Sequence, residues 1–169
     1  MGLFYYYCLQ DFDRALKELE FAGERLPNDA LNLEAIAIVH RRQGKLDESI
    51  KGMEQSTQLD PRNEDIWVNL GRSYRGMRNF EKARAMFDRA LALAPGEKSI
   101  AAQKAEVYLA EGNLDGVLET LRGFAFVPWG EGARERFTVL FYRRQVDEIL
   151  RAAGPLLPTR RICGLCSSR

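Results

Sequence analysis

Residues 64–97 read EDIWVNLGRSYRGMRNFEKARAMFDRALALAPGE. Ile66, Trp67, Leu70, Gly71 and Tyr74 stand at i, i+3, i+4 spacing, which draws one apolar stripe along a helix over 63–77. Phe80, Ala83, Phe87, Ala90 and Leu91 draw a second stripe. Between them, Gly76 to Asn79 interrupt the first helix. Asn79 is the expected cap of the next, because its side-chain oxygen can accept from first-turn amides that have no intrahelical partner. Glu81 then falls in the first turn, where the helix dipole favours negative charge by roughly 0.3–1 kcal/mol. Pro95, which cannot continue a helix, marks the end of the second.

The pair of helices recurs. Tyr6, His40, Tyr74, Tyr108 and Tyr142 fall 34 residues apart, and Pro27, Pro61 and Pro95 keep the same interval. So do Phe12, Leu46, Phe80 and Leu114, and likewise Leu19, Met53, Phe87 and Leu121. An acid recurs at Asp13, Asp47, Glu81 and Asp115, while Asp11 and Asn113 take the place of Asn79. The apolar columns predict buried seams, and the acidic column predicts helix starts. Small residues at Ala37, Gly71 and Ala105 should let paired helices approach closely. The reading is an all-α solenoid of about three and a half repeats. A partial repeat covers 1–29, full repeats cover 30–63, 64–97 and 98–131, a capping or partial-repeat helix covers 132–153, and a disordered basic tail covers 154–169.

Trp67, Leu70, Gly71, Tyr74, Ala83, Phe87, Ala90 and Pro95 stand at the spacings of the tetratricopeptide (TPR) signature, and the chain resembles a TPR protein. The second copy follows with Leu33, Ile36, Ala37, His40, Ser49, Met53, Ser56 and Pro61. The fourth keeps Ala105, Tyr108 and Leu121, shifts its proline to Pro128 and places Phe124 where a small residue is usual. The resemblance implies a right-handed superhelix whose first helices line a concave groove, and a role in binding a peptide or partner protein there. Positions just off the packing stripe are then Glu34, Ile38, Arg41 and Arg42, followed by Val68, Asn69, Arg72 and Arg75. The next helices add Ala102, Glu106 and Leu109, and Arg136, Leu140 and Arg143. The arginines suit an acidic or carboxylate-bearing peptide, because guanidinium forks pair bidentately with carboxylates. A solvated helix face would carry the same charges. Some TPR modules hold the tails of heat-shock chaperones through a Lys and Asn arrangement, but Glu34 and Ile38 stand here where those residues are needed. That departure argues against such tails.

A second resemblance runs over residues 3–127, through Tyr5-Tyr6-Tyr7, Asp11 to Leu16, Leu26 to Asp29 and Val39 to Gly44. It is to the TPR portions of bacterial multidomain signalling proteins, in which the array follows an adenylate/guanylate cyclase, winged-helix or TolB-like domain. It implies a regulatory or assembly module acting on a fused effector domain.

Composition fits a soluble domain, with 46% apolar and 29% charged residues, and no run approaches the ~20 apolar residues of a membrane span. Met1 to Gln10 lack the basic start and cleavage site of a signal peptide, and Tyr6 stands where a myristoylation motif needs Ser or Thr, so the expected location is cytoplasmic. Net charge is +1, yet residues 134–169 hold eight Arg and three acids, a balance of +5 that leaves −4 for the rest. Those arginines either solvate the last helix or meet an acidic surface. Nucleic acid is not the expected partner, since no aromatic-interleaved basic platform accompanies them.

Both ends depart from the pattern. The first copy begins near its middle, and the 132–153 helix carries Phe137, Val139, Leu140, Phe141, Tyr142, Val146, Ile149 and Leu150, more apolar surface than one stripe requires. The expectation is a piece of a longer protein, or ends buried against another copy. The alternative is a divergent cap packed on Phe124, Phe126 and Trp129. In the tail, Cys163-x-x-Cys166 could bind zinc across a dimer, serve as a redox pair, or have no role. No enzyme is expected: the lone His40 falls in the tyrosine column, and no nucleophile elbow, phosphate loop or metal motif is present. No cofactor or metal is implied.

Overall fold

A computed structural model describes residues 1–122, and these form helices throughout. A short helix α1 (Gly2–Phe4) runs into a π-helical turn (Tyr5–Leu9), followed by α2 (Phe12–Arg25), α3 (Ala30–Arg42) and α4 (Leu46–Leu59). Then come α5 (Glu64–Gly76), α6 (Phe80–Leu93), α7 (Lys98–Glu111) and α8 (Leu114–Leu121). Helices pack in sequence order, α3 on α4, α5 on α6 and α7 on α8 within pairs, with α2–α3, α4–α5 and α6–α7 joining them. The first helices α3 and α5 also touch, as stacking of successive pairs requires. The helix expected at 132–153 with Arg136, Leu140, Tyr142 and Arg143, the aromatics Phe124, Phe126 and Trp129, and the tail with Cys163 and Cys166 lie outside the described residues.

The periodic columns become the core. Ala15, Ser49, Ala83 and Val117, again 34 apart, are fully buried, and Leu19, Met53, Phe87 and Leu121 form the buried seam read from the sequence. Burying a side chain such as Phe87 contributes about 1.5–3 kcal/mol. Phe87 lies against Gly71, where an added Cβ would come within 3.0–3.1 Å of three ring atoms. Two column positions hold hydroxyls instead of carbon, and both are satisfied: Ser49 Oγ meets Ser73 Oγ at 2.9 Å, and Ser56 Oγ donates to the Ala30 carbonyl at 2.6 Å.

The turn inside each pair is also periodic. Gln10, Gly44, Arg78 and Gly112 all have left-handed backbone, with φ of 53°, 79°, 59° and 77°. The next residue in each case precedes the second helix. Its side chain caps that helix at Asp11, Asn79 and Asn113, accepting from the amides of Arg14, Lys82 and Gly116 at 3.0, 3.2 and 2.9 Å. Lys45 occupies the fourth such place and offers no side-chain cap. The backbone N–H of Lys45, Asn79 and Asn113 donates to the carbonyl of the column residue His40, Tyr74 and Tyr108. In the first copy, Asp11 N–H reaches Tyr5 rather than Tyr6, because the π-helical turn carries one extra residue there.

Candidate binding groove

The first helices carry the side chains expected to face a partner, and a polar network joins them. Its hub is Asn69 on α5, which is 9% exposed. Asn69 Nδ2 donates to Glu34 Oε1 on α3 at 2.7 Å. Arg41, also on α3, donates through Nη1 to the Asn69 carbonyl at 2.8 Å and through Nη2 to Asn69 Oδ1 at 3.1 Å. Arg72 adds a second donor to Asn69 Oδ1 at 3.2 Å and reaches across to Gln103 Oε1 on α7. Arg75 pairs with Glu106 on α7. Arg42 is set to one side, donating through Nε to the Tyr6 hydroxyl at 3.0 Å.

Three guanidiniums, those of Arg41, Arg72 and Arg75, stand among three acids, Glu34, Asp65 and Glu106. The electrostatics follow from burial and from the closeness of the guanidiniums to one another. Burial and then the neighbouring charge of Arg72 push the Arg41 guanidinium down to about 10. Burial, then the charge of Arg75, also lowers Arg72, against the pull of Glu106. Glu34 is raised by burial, and the charge of Asp65 adds to the rise; the hydrogen bond from Asn69 and the charge of Arg41 oppose it. The charged forms of Glu34, Arg41 and Arg72 are thus each disfavoured, chiefly by burial.

The structure brings Glu34, Arg41, Asn69, Arg72, Arg75 and Glu106 into one connected face, with Ile38 and Arg42 at its edge. Val68 is not on it. At 5% exposure Val68 belongs to the buried core cluster that includes Ile66, Leu70 and Phe87, because the apolar arc of α5 is wide enough to include it. The signature residues take structural roles: Leu70, Gly71, Tyr74, Ala83, Phe87 and Ala90 are buried, Trp67 Nε1 donates to the Pro61 carbonyl at 3.0 Å, and Pro95 follows the end of α6. His40 is half-buried in the tyrosine column. Sequence reasoning missed Gln103, a bridging amide on an otherwise ordinary helix, and Asp65. It also missed the caps Asp29, Asn63 and Glu97 of the first helices, although these too recur at 34 residues.

Beside the network lies a cavity of about 360 Å³, lined by Tyr6, Tyr7, Leu31, Glu34, Ile38 and Asp65 among others. Among the described residues, no group of three or more His, Cys, Asp or Glu could hold a metal ion, and no helix is long and apolar enough to cross a membrane.

Residues 28–95 match the family model described as tetratricopeptide repeat. Among solved structures, the chain is similar to TTC0263, a thermophilic TPR protein in Thermus thermophilus, at 19% identity, covering 91% of this chain and 85% of that one with a TM-score of 0.71. It is similar to MamA at 16% identity, covering 90% of each chain with a TM-score of 0.68. A second MamA structure, from MSR-1, gives 21% identity over 72% of this chain and 69% of that one, with a TM-score of 0.62. At these identities the likeness shows the fold. No curated protein matches the chain.

Proposed function

We propose that this chain, which carries tetratricopeptide repeats over residues 28–95 on a TPR fold, is a non-catalytic scaffold whose groove face binds a peptide or partner protein through its carboxylates. TPR folds typically serve protein interaction. The observation that carries the acidic preference is the clustering of Arg41, Arg72 and Arg75 closely enough to act on one another, with Arg41 pushed down to about 10 by burial and like charge. An incoming carboxylate would meet preorganised forks and relieve that repulsion. Binding of a fluorescein-labelled glutamate-rich peptide, read by polarisation, tests this. The variant carrying Arg72→Glu and Arg75→Glu should abolish binding while keeping the helical circular-dichroism spectrum. Undiminished binding would sink the reading.

A second reading is favoured by a separate observation. Of the eleven large apolar residues that are exposed among the described residues, eight lie within residues 1–31, among them Leu3, Phe4, Tyr7, Phe21 and Leu26. Exposed apolar side chains concentrated in that part of the chain support docking onto a second copy or a fused effector domain. The likeness of residues 3–127 to TPR portions of bacterial signalling proteins points the same way. Sedimentation over a hundredfold range of concentration separates the readings. Self-association that Phe4→Glu and Phe21→Glu remove would favour the second.

A further inference from the structure

The carboxylate-binding face leaves the adjacent cavity of about 360 Å³ unaccounted for, although its volume is within the range of about 300–1,000 Å³ typical of ligand sites. Its walls are apolar and aromatic, from Tyr6, Tyr7, Leu31 and Ile38, yet two carboxylates, Glu34 and Asp65, line it as well. The mouth is open, since Tyr7 and Leu31 remain 70% and 59% exposed, whereas Glu34 is only 8% exposed. Glu34 Oε1 accepts from Asn69, and among the described residues no hydrogen bond reaches Oε2.

The charges acting on Glu34 are those of Asp65 and Arg41, with opposite sign, and Asp65 acts on Arg72 as well. Arg41 is directed to the carbonyl and side-chain oxygens of Asn69. Arg42 is turned to the Tyr6 hydroxyl. Glu34 and Asp65 are the charged residues among those lining the cavity, and no cation lines it, so an apolar wall stands beside two acids, which fits a side chain having a hydrocarbon stem and a cationic end. A guanidinium fork prefers both oxygens of one carboxylate, whereas the cavity offers two acids on different helices. A compact ammonium, which acts as a point charge, needs only one oxygen from each acid.

We propose that this cavity receives a lysine side chain of a partner, its stem against Tyr6, Tyr7, Leu31 and Ile38 and its ammonium between Glu34 and Asp65. The groove then reads two chemistries side by side, a cation here and a carboxylate at Arg72 and Arg75. The lysine site does not depend on the carboxylate site.

The test is a methyl NMR titration of the full chain with Nα-acetyl-lysine methylamide and, separately, its uncharged norleucine counterpart. Shifts should appear at the Leu31, Ile38 and Val39 methyls, with the lysine analogue binding about tenfold more tightly than the norleucine one. Glu34→Gln with Asp65→Asn should erase that preference, and Gln retains the oxygen that Asn69 Nδ2 needs. Ala35→Trp, at the cavity wall, should remove the shifts from both analogues. The Arg72→Glu, Arg75→Glu variant should keep the lysine preference, so failure here is distinguishable from failure at the carboxylate site. Equal affinities for the two analogues, absent shifts at these methyls, or a lysine preference that survives Glu34→Gln with Asp65→Asn would each overturn the proposal.

Discussion

Lys45→Asn should stabilise the chain, and the other repeats say by how much. Lys45 has φ −82° and ψ 73°, Asn79 has φ −83° and ψ 77°, and Asn113 has φ −85° and ψ 83°, so the backbone at Lys45 already has cap geometry. Only the side-chain acceptor is absent, leaving the first-turn amide of Glu48 without the partner that Lys82 and Gly116 find. Supplying such an acceptor is worth about 0.5–2 kcal/mol. Removing a cation from the positive end of α4 adds roughly 0.3–1 kcal/mol, less in salt. A gain of about 1–2 kcal/mol should raise the melting temperature by roughly 2–8 °C for a chain of this size. Thermal circular dichroism at 222 nm reads the shift, and amide exchange at Glu48 should slow in the variant. Asn79→Ala is the matched control and should lower the midpoint by a comparable amount. If Asn79→Ala destabilises while Lys45→Asn leaves the midpoint and the Glu48 exchange unchanged, the equivalence of the repeats fails and so does the reasoning.

Arg78→Gly should stabilise by up to about 1 kcal/mol, because φ of 59° strains a residue with a Cβ; losing the Arg78 stacking on Phe80 offsets roughly 0.5 kcal/mol of this. Urea midpoints check it, and a lower midpoint would contradict it. Gly71→Ala should destabilise by up to ~2 kcal/mol, since crowding the buried Phe87 ring at about 1–3 kcal/mol outweighs about 1 kcal/mol of helix propensity. A more stable variant would show that the ring can yield. Glu34 has its carboxyl raised above the ordinary 4.5, chiefly by burial, so its contribution to stability is present below pH 4.5 and lost as pH rises through the folded-state value. Glu34→Gln should therefore compare more favourably with the parent at pH 7 than at pH 4 in urea unfolding, and an unchanged difference between the two would refute the assignment.

The fold was legible because one interval controls several kinds of residue at once. Leu19, Met53, Phe87 and Leu121 could each be chance apolar residues, but with Asp11, Asn79 and Asn113 at a second phase and Pro27, Pro61 and Pro95 at a third, packing, capping and turns agree. The groove was legible only in part. Arg41 on α3 and Arg72 and Arg75 on α5 could be placed on the groove side of their helices by spacing, but their partners come from the neighbouring pair, and nothing local in the sequence ties Arg72 to Gln103. Val68 was misplaced for the complementary reason. On α5 the apolar arc is broad, and helical spacing alone does not say where core ends and groove begins. The cavity beside Glu34 was not legible at all, since its lining comes from the chain start, α2, α3 and α5 together.

The bridges on the groove face tie three successive first helices: Arg41 and Glu34 hold α3 to α5 through Asn69, while Arg72 and Arg75 hold α5 to α7 through Gln103 and Glu106. These are the inner struts of a spring. The seams of Met53 and Phe87 fix how each coil is built, but the struts help set how tightly one coil is wound on the next. A ligand carboxylate that draws Arg75 away from Glu106 would loosen a strut as it binds, so occupancy and superhelical pitch become one thermodynamic variable. Stretching or bending the solenoid would then alter affinity, and a small acidic ligand could change the spacing between whatever is attached at its two ends.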